Sequence, residues 1–347
     1  MARILYGVCG EGGGHASRSY EIISHLKKKG HEVVAITYGK ALWLKKHMKV
    51  FEFPGLNISF SNNQADYTKT VMDNLNSLPG RIEHFRKLME FVKKFRPQIA
   101  ITDFEPATST IASLLGIPLI SIDNQHRITN TKIETPQKYE SQRIVADAVI
   151  RAMVGNTKAC LVISFHPTKL TSSKTFIFPP ILRSEILKLK PQKKDYVLVY
   201  QTTSTNKELI DILKQINEKF IIYGFDVAKK DKNLVFKKRN EKKFIQDLKD
   251  CKAVITNGGF TLITEALYLC KPVLSIPISG QFEQILNAFY LEKLGYGEFY
   301  EKLASKEIID FIKNLKKYEN NLEHYKKEDN HRILNMLDEL IAQYAIK

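Results

Sequence analysis

Cysteine, tryptophan and acidic side chains are scarce in this chain, and each shortage closes off a class of protein. Of its 347 residues 4 are Cys and 1 is Trp. Cys9, Cys160, Cys251 and Cys270 stand far apart, with no CxxC pair and no histidine at ligand spacing. That excludes a disulfide framework and a structural zinc site, and makes a reducing compartment the expectation. Pro (12) and Gly (17) are too few, and hydrophobic residues at 44% too many, for a collagen-like or disordered chain. No uninterrupted apolar run approaches the ~18–20 residues that cross a bilayer, and Met1-Ala2-Arg3 leads straight into a strand-like segment with no secretory h-region. A soluble cytoplasmic protein is expected. The shortage of acids leaves 37 Asp and Glu against 53 Lys and Arg, a net charge of +16, which favours an anionic partner: nucleic acid, an anionic membrane surface or a phosphorylated small substrate.

What is present is a recurring joint. Ile4–Val8 reads as a strand, Gly10–Gly14 as a loop, and Ala16–Lys29 as a helix with Ala16, Tyr20, Ile23 and Leu26 at helical spacing; Gly30 precedes a second strand, Val33–Thr37. The same order returns at Gln98–Thr102, Thr108–Leu115 and Leu119–Ile122, and again at Ala253–Thr256, Thr261–Cys270 and Val273–Ile276. Beyond a Pro- and Ser-interrupted stretch the pattern restarts, with strands at Tyr196–Tyr200 and Phe220–Tyr223 around a helix at Glu208–Glu218. Short, wholly apolar strands separated by helices predict parallel sheets covered on both faces. The expected organisation is an N-terminal Rossmann-like domain over 1–165, a linker over 166–191, a second Rossmann-like domain over 192–306, and a helical segment over 307–347. The stripe Ile333, Leu334, Leu337, Leu340 and Ile341 in that last segment is expected to dock back onto the N-terminal domain. Two such sheets would enclose a cleft, with ligands beyond the carboxyl ends of the strands.

Three segments carry polar residues at such strand ends. Gly10, Gly12, Gly13 and Gly14 make a turn that lets a ligand approach the backbone, and His15 follows at a helix start, where the macrodipole disfavours the imidazolium, as a general base requires. Asn257-Gly258-Gly259-Phe260-Thr261 leaves a second helix N-terminus suited to a phosphate, with Glu265 one turn on as an acceptor for ribose hydroxyls. Glu283 and Gln284 enter a third helix with groups for vicinal hydroxyls. Each has a plain structural alternative: a capping histidine, a solvated helix Glu, an ordinary first-turn acid.

The run Asn257-Gly258-Gly259-Phe260, Glu265, Pro272, Pro277, Glu283-Gln284 and Asn287-Ala288 resembles the donor-binding signature of family 1 and family 28 glycosyltransferases, which have the GT-B fold. Gly10–His15 is similar to the Gly-rich loop of MurG-like members, ending in the same Gly-Gly-His. The resemblance implies an α/β protein of two doubly wound domains and a hexosyltransferase that uses a nucleotide-sugar donor, a UDP-sugar being expected. By the same resemblance Glu265 is the ribose acid, Glu283 and Gln284 hold the sugar, Thr203 and Ser204 touch the pyrophosphate, and His15 is the base near the acceptor. Asp123 matches an acidic position facing the cleft, as a substitute base or as the group that orients the imidazole. Asn257 stands where many family 1 members have His. No cofactor and no obligatory metal are implied, and the transfer would invert the anomeric centre.

Two basic stretches rich in apolar and aromatic residues lie in the first half: Lys45, Lys46 and Lys49 among Leu42, Trp43, Leu44, Met48, Phe51 and Phe53, and Arg81, Arg86, Lys87, Lys93, Lys94 and Arg96 among Phe85, Leu88, Met89, Phe91, Val92 and Phe95. They suit an anionic bilayer and a lipid-linked hydroxyl acceptor, but a core-facing stripe with a solvated Lys face is the more expected reading. Two rival functions stay open: a nucleotide-sugar 2-epimerase or hydrolase of the same fold, and a non-catalytic polyanion-binding protein. Nucleic acid is the weakest of the partners, because no RNP-like, KH-like or zinc-finger pattern is present.

Overall fold

The computed structural model describes residues 1–55, 60–61, 64–65, 78–202 and 207–345; Thr203 and Ser204 lie outside the described residues. The chain divides into two compact units, one comprising Met1–Ser59, Tyr67–Arg183 and Glu328–Lys347, the other Phe60–Asp66 and Ser184–Lys327.

In the first unit, strands β1 (Arg3–Val8), β2 (Glu32–Thr37), β3 (Val50–Glu52), β4 (Ile99–Asp103), β5 (Leu119–Asp123), β6 (Ala159–Ile163) and β7 (Thr175–Phe178) form one sheet in the order β7-β6-β5-β4-β1-β2-β3. Every neighbouring pair is parallel. The central strands β4, β5 and β6 are buried at every residue, so both faces are covered by helices and apolar residues need not alternate with polar ones. The helices are α1 (Gly14–Lys28), α2 (Leu78–Phe95), α3 (Pro106–Leu114), α4 (His126–Asn130) and α5 (Glu140–Met153). Strand order reverses direction between β1 and β4, and at such a switch point the loops leaving neighbouring strands part to open a crevice.

The second unit repeats the plan. Strands β8 (Val197–Tyr200), β9 (Phe220–Tyr223), β10 (Lys229–Asp231), β11 (Leu234–Phe236), β12 (Ala253–Thr256), β13 (Val273–Ser275) and β14 (Gly297–Phe299) lie in the order β10-β11-β9-β8-β12-β13-β14, antiparallel only at the β10–β11 edge. Here the switch point falls between β8 and β12. Helices α6 (Lys207–Lys214), α7 (Glu241–Asp250), α8 (Phe260–Tyr268), α9 (Phe282–Lys293), α10 (Ser305–Lys313) and α11 (Leu315–Leu322) accompany them. Ile308, Phe311, Leu315 and Tyr318 from the last two pack into the core with Val197, Val199, Phe220 and Ile255. Each unit is thus a doubly wound, almost wholly parallel sheet.

Two expectations need correction in detail. The stretch 166–191 is not all linker: its apolar run Thr175–Phe178 pairs with β6 as the outermost strand of the first sheet, and the units divide between Arg183 and Ser184. Proline and serine on either side concealed a four-residue strand, because turn residues mark the ends of a short strand as well as a linker. Residues 307–347 are not one segment either, since α10 and α11 belong to the second unit whereas α12 (His331–Tyr344) groups with the first. Within that unit His25 Nε2 lies 2.9 Å from Asp338 Oδ1, and Asn330 bonds the Leu182 backbone through both its amide atoms at 3.0 and 2.8 Å. Ile333, Leu337, Leu340 and Ile341 are buried. Of the two readings of the basic stretches, the core-facing one holds for these residues: Phe53, Leu88 and Val92 are core residues, with Phe51, Phe85, Met89, Phe91 and Phe95 packed against them. Arg86 on α2 faces solvent and pairs with Glu83 and Glu90. Among the described residues no helix is long and apolar enough to cross a membrane.

Candidate active site

The first polar cluster sits at the carboxyl edge of the first sheet. Val8, the end of β1, is the register partner of Asp103, the end of β4, and the Cys9 N–H donates to the Asp103 carbonyl at 3.1 Å. The loop between β1 and α1 then turns sharply. A Cβ on Gly10 would lie 2.2 Å from the Tyr38 carbonyl oxygen, and Gly12 has φ +81°. Glycine is required at the first by space and favoured at the second by backbone conformation. Gly13 and Gly14 open α1 without a side-chain cap, so its first N–H groups carry no internal partner of that kind.

His15 is the second residue of α1, and Arg18 and Ser19 follow at i+3 and i+4 on the same helix face. All three converge on the fully buried Asp103 carboxylate. His15 Nδ1 is 2.8 Å from Oδ1, Arg18 Nε donates to Oδ2 at 2.8 Å and Nη2 to Oδ1 at 2.5 Å, and Ser19 Oγ donates to Oδ2 at 3.0 Å. Arg18 Nη2 also stands 2.8 Å from His15 Nδ1, while Nη1 donates to Asn124 Oδ1 at 3.2 Å. Burial alone would raise the Asp103 carboxyl; the Arg18 guanidinium and then His15 outweigh it and hold the group below the usual carboxylate range. The three atoms Nδ1, Oδ1 and Nη2 form a nearly equilateral triangle, so one proton can serve only one side. Of the two neutral tautomers, the one protonated on Nδ1 lets the carboxylate oxygen accept from both nitrogens at once, and in that tautomer Nε2 is the acceptor.

Asp123 does not meet His15. Although it ends β5 at the same edge, its carboxylate turns into the protein, accepts the His126 N–H at 2.8 Å, bonds the Ser121 hydroxyl, and lies 2.7 Å from His126 Nδ1. Burial would raise this acid too, but the His126 charge pulls it down to about 2. His126, lowered by burial and raised more strongly by Asp123, ends above its ordinary value. Asp123 is therefore half of a buried ion pair, and the group that orients the imidazole is Asp103. The strand-end position of Asp123 was legible in the sequence; which way its side chain turned was not.

In the second unit the Asn257 side chain is a latch across strand ends. Its Oδ1 accepts the Thr202 N–H at 2.8 Å and its Nδ2 donates to Gln201 Oε1 at 3.1 Å and to the Ile276 carbonyl at 3.2 Å, joining the loops after β8, β12 and β13. It is fully buried. Gly258 has φ +94°, and a Cβ there would lie 2.9 Å from the Gln284 carbonyl oxygen, so the glycine lets the turn press against α9. Asn287 Nδ2 donates to the Gly258 carbonyl at 3.0 Å. Gly259, by contrast, faces open space. It opens α8 without a side-chain cap or first-turn acid, beside the half-buried Thr261. Glu265, on the next turn, is 1% exposed rather than solvated. Glu283 is half-buried in the first turn of α9. Gln284 commits its amide internally: Oε1 accepts the Ile278 N–H at 3.0 Å and Nε2 donates to Gln281, which shapes the loop instead of leaving the amide for a ligand. Arg18, Asp103 and Asn124 escaped the sequence reading, although the spacing His15-x-x-Arg18-Ser19 was visible.

Two doubly wound units, each with an uncapped glycine turn at its switch point, are matched by the family model described as "Glycosyl transferase family 1" over residues 2–316. The chain belongs to glycosyltransferase family 1. An uncharacterized glycosyltransferase of Methanosarcina mazei is 23% identical over 337 residues, covering 88% of each chain. A Bacillus cereus UDP-N-acetylglucosamine--N-acetylmuramyl-(pentapeptide) pyrophosphoryl-undecaprenol N-acetylglucosamine transferase is 25% identical over 218 residues, 53% of this chain and 61% of the relative. The crystal structure of the calicheamicin glycosyltransferase CalG4 superposes with a TM-score of 0.69 at 14% identity, covering 100% of both chains, a likeness of fold. This glycosyltransferase therefore carries its His15 cluster and its Gly258-Gly259 turn at corresponding edges of two similar sheets.

Proposed function

We propose that this glycosyltransferase transfers a hexose from a nucleotide-diphosphate sugar, a UDP-sugar, to a hydroxyl acceptor with inversion, His15 acting as general base and Asp103 orienting it. The observation that carries this reading is the 2.8 Å contact between His15 Nδ1 and Asp103 Oδ1 at the mouth of an open glycine turn. The acceptor O–H gives its proton to His15 Nε2 as its oxygen bonds the anomeric carbon. The bond from that carbon to the diphosphate breaks on the opposite face, and the electron pair leaves with the diphosphate. The N-terminus of α8 at Gly259–Thr261, which has no side-chain cap, would meet the developing charge, with no metal obligatory. Glu265 is assigned to the ribose and Glu283 to sugar hydroxyls, with Thr203 and Ser204 near the pyrophosphate; Gln284 supports the loop. The donor is supported by the name of the Bacillus relative, which also takes a lipid-linked acceptor. We extend that acceptor class to this enzyme, with the exposed Lys93 and Lys94 of α2 meeting an anionic, cytoplasmic bilayer surface.

The test incubates the enzyme with a panel of nucleotide sugars and short prenyl-diphosphate-linked or simple alcohols, reading product by mass spectrometry and anomeric configuration by NMR. Inverted glycoside is the expected product. Epimerised nucleotide sugar without transfer would assign an epimerase, and no turnover of any nucleotide sugar would end the reading. Sedimentation with anionic but not neutral vesicles at low salt checks the membrane part separately.

A further inference from the structure

Arg18 is almost fully buried, 2% exposed, and sits at the centre of the His15 cluster without reaching the surface. Its guanidinium spends Nε and Nη2 on the two oxygens of Asp103 and Nη1 on Asn124 Oδ1. A helix-borne cation buried against one acid would ordinarily be a structural ion pair. Here the same carboxylate oxygen that takes Nη2 also faces the imidazole, and Nη2 itself stands 2.8 Å from the imidazole nitrogen. An imidazolium at His15 would set a second positive charge against a guanidinium in a buried site, where charge interactions are poorly screened.

The other titratable groups near the cluster do not touch the imidazole, and several have partners or environments of their own. Tyr6 on β1 is pushed up by burial and stays neutral, and burial likewise pushes the Cys9 thiol up to about 12. Ser19 on α1 and Asn124 after β5 are uncharged. Asp123 is neutralised by His126, and Glu105, a buried acid ahead of α3, bonds Ala107 and Thr108 and is raised by burial. Glu11, in the glycine turn, is half-buried. The two charged groups in direct contact with the His15 ring are Asp103 and Arg18, of opposite sign.

We propose that Arg18 is a positioning residue of the transfer reaction, holding Asp103 against His15 while its charge opposes protonation of the imidazole. Asp103 alone would orient the ring but also stabilise its protonated form, which cannot accept the acceptor's proton. Arg18 separates these effects: orientation is kept and the penalty on basicity is offset. The inference rests on His15 being the base.

The experiment is the pH dependence of kcat/KM between pH 5.5 and 9.5 for the wild type, Arg18→Gln, Arg18→Lys and Asp103→Asn, each checked for folding by circular dichroism. Arg18→Gln is expected to move the acid limb up by about one pH unit or more, a loss of about tenfold at low pH that is mostly regained at high pH. Arg18→Lys keeps the charge and should leave the limb near its wild-type position while lowering kcat through poorer alignment. Asp103→Asn should displace the limb the opposite way, downward, and Arg18→Met, which also removes the charge, stands in for Arg18→Gln if that variant does not fold. An unmoved limb in Arg18→Gln, equal losses at every pH, or an unmoved limb in Asp103→Asn would overturn the proposal. Near-normal turnover in His15→Ala would instead remove the base itself, a separate failure.

Discussion

Val8 and Asp103 are register partners at the carboxyl ends of β1 and β4, and this single pairing brings residues 88 apart in sequence, His15 and Asp103, to 2.8 Å. The strands on either side of the switch point end level, so the residue closing β4 lies beneath the first turn of the helix that follows β1. Chemistry at that edge depends on the parallel register as much as on the residues themselves.

His15→Ala should lower turnover by about 10²–10⁴, the usual contribution of a general base, while nucleotide diphosphate affinity stays within a few-fold. Steady-state kinetics beside calorimetry checks it; comparable losses in both would place His15 in binding instead.

The Asp123–His126 pair should give the first unit a pH-dependent stability with two edges. Asp123 is held at about 2 in the folded state against 3.8, so its contribution is present above about 3.8 and lost as pH falls towards 2. His126 is raised above 6.5, so its contribution is complete below 6.5 and lost as pH rises through the folded value. Urea midpoints of wild type and Asp123→Asn are expected to differ more at pH 5.5 than at pH 9. A gap that widens towards pH 9 would mean that His126 is neutral in the fold.

Gly258→Ala is expected to destabilise the second unit by about 1–3 kcal/mol, since the position combines φ +94° with a contact that would bring Cβ to 2.9 Å from a carbonyl oxygen. Gly259→Ala, with open space around it and an ordinary backbone conformation, should fold with little change. Similar melting temperatures for the two variants would argue against the close approach of this turn to α9.

Glu283→Ala should impair use of the nucleotide sugar more than binding of the free nucleotide diphosphate, because the sugar hydroxyls assigned to it are absent from the diphosphate. Glu265→Ala should weaken both ligands by roughly tenfold to a hundredfold, the loss of charged hydrogen bonds worth ~1.5–3 kcal/mol. Isothermal calorimetry with each ligand separates the two; identical patterns would remove the division of labour.

Much of this protein was determined by sequence alone, through local effects. Apolar runs such as Ala253–Thr256 and Phe220–Tyr223 are strands with the bounds read from the sequence, because a strand buried on both faces must be continuously apolar and its glycine or proline neighbours stop it. The two glycine turns and the helices after them were legible for the same reason. Side-chain direction at strand ends was decided only by tertiary structure. Asp103 and Asp123 both close a strand at one edge, yet one meets His15 and the other His126, because Arg18 and Ser19 reach the first whereas the second accepts the His126 N–H three residues on. Asn257 and Gln284 look like ligand groups in sequence and are latches in the fold, since buried backbone N–H and carbonyl groups must find partners and these amides supply them. A residue type announces the bonds it can make; only the packed neighbours settle with which group it makes them.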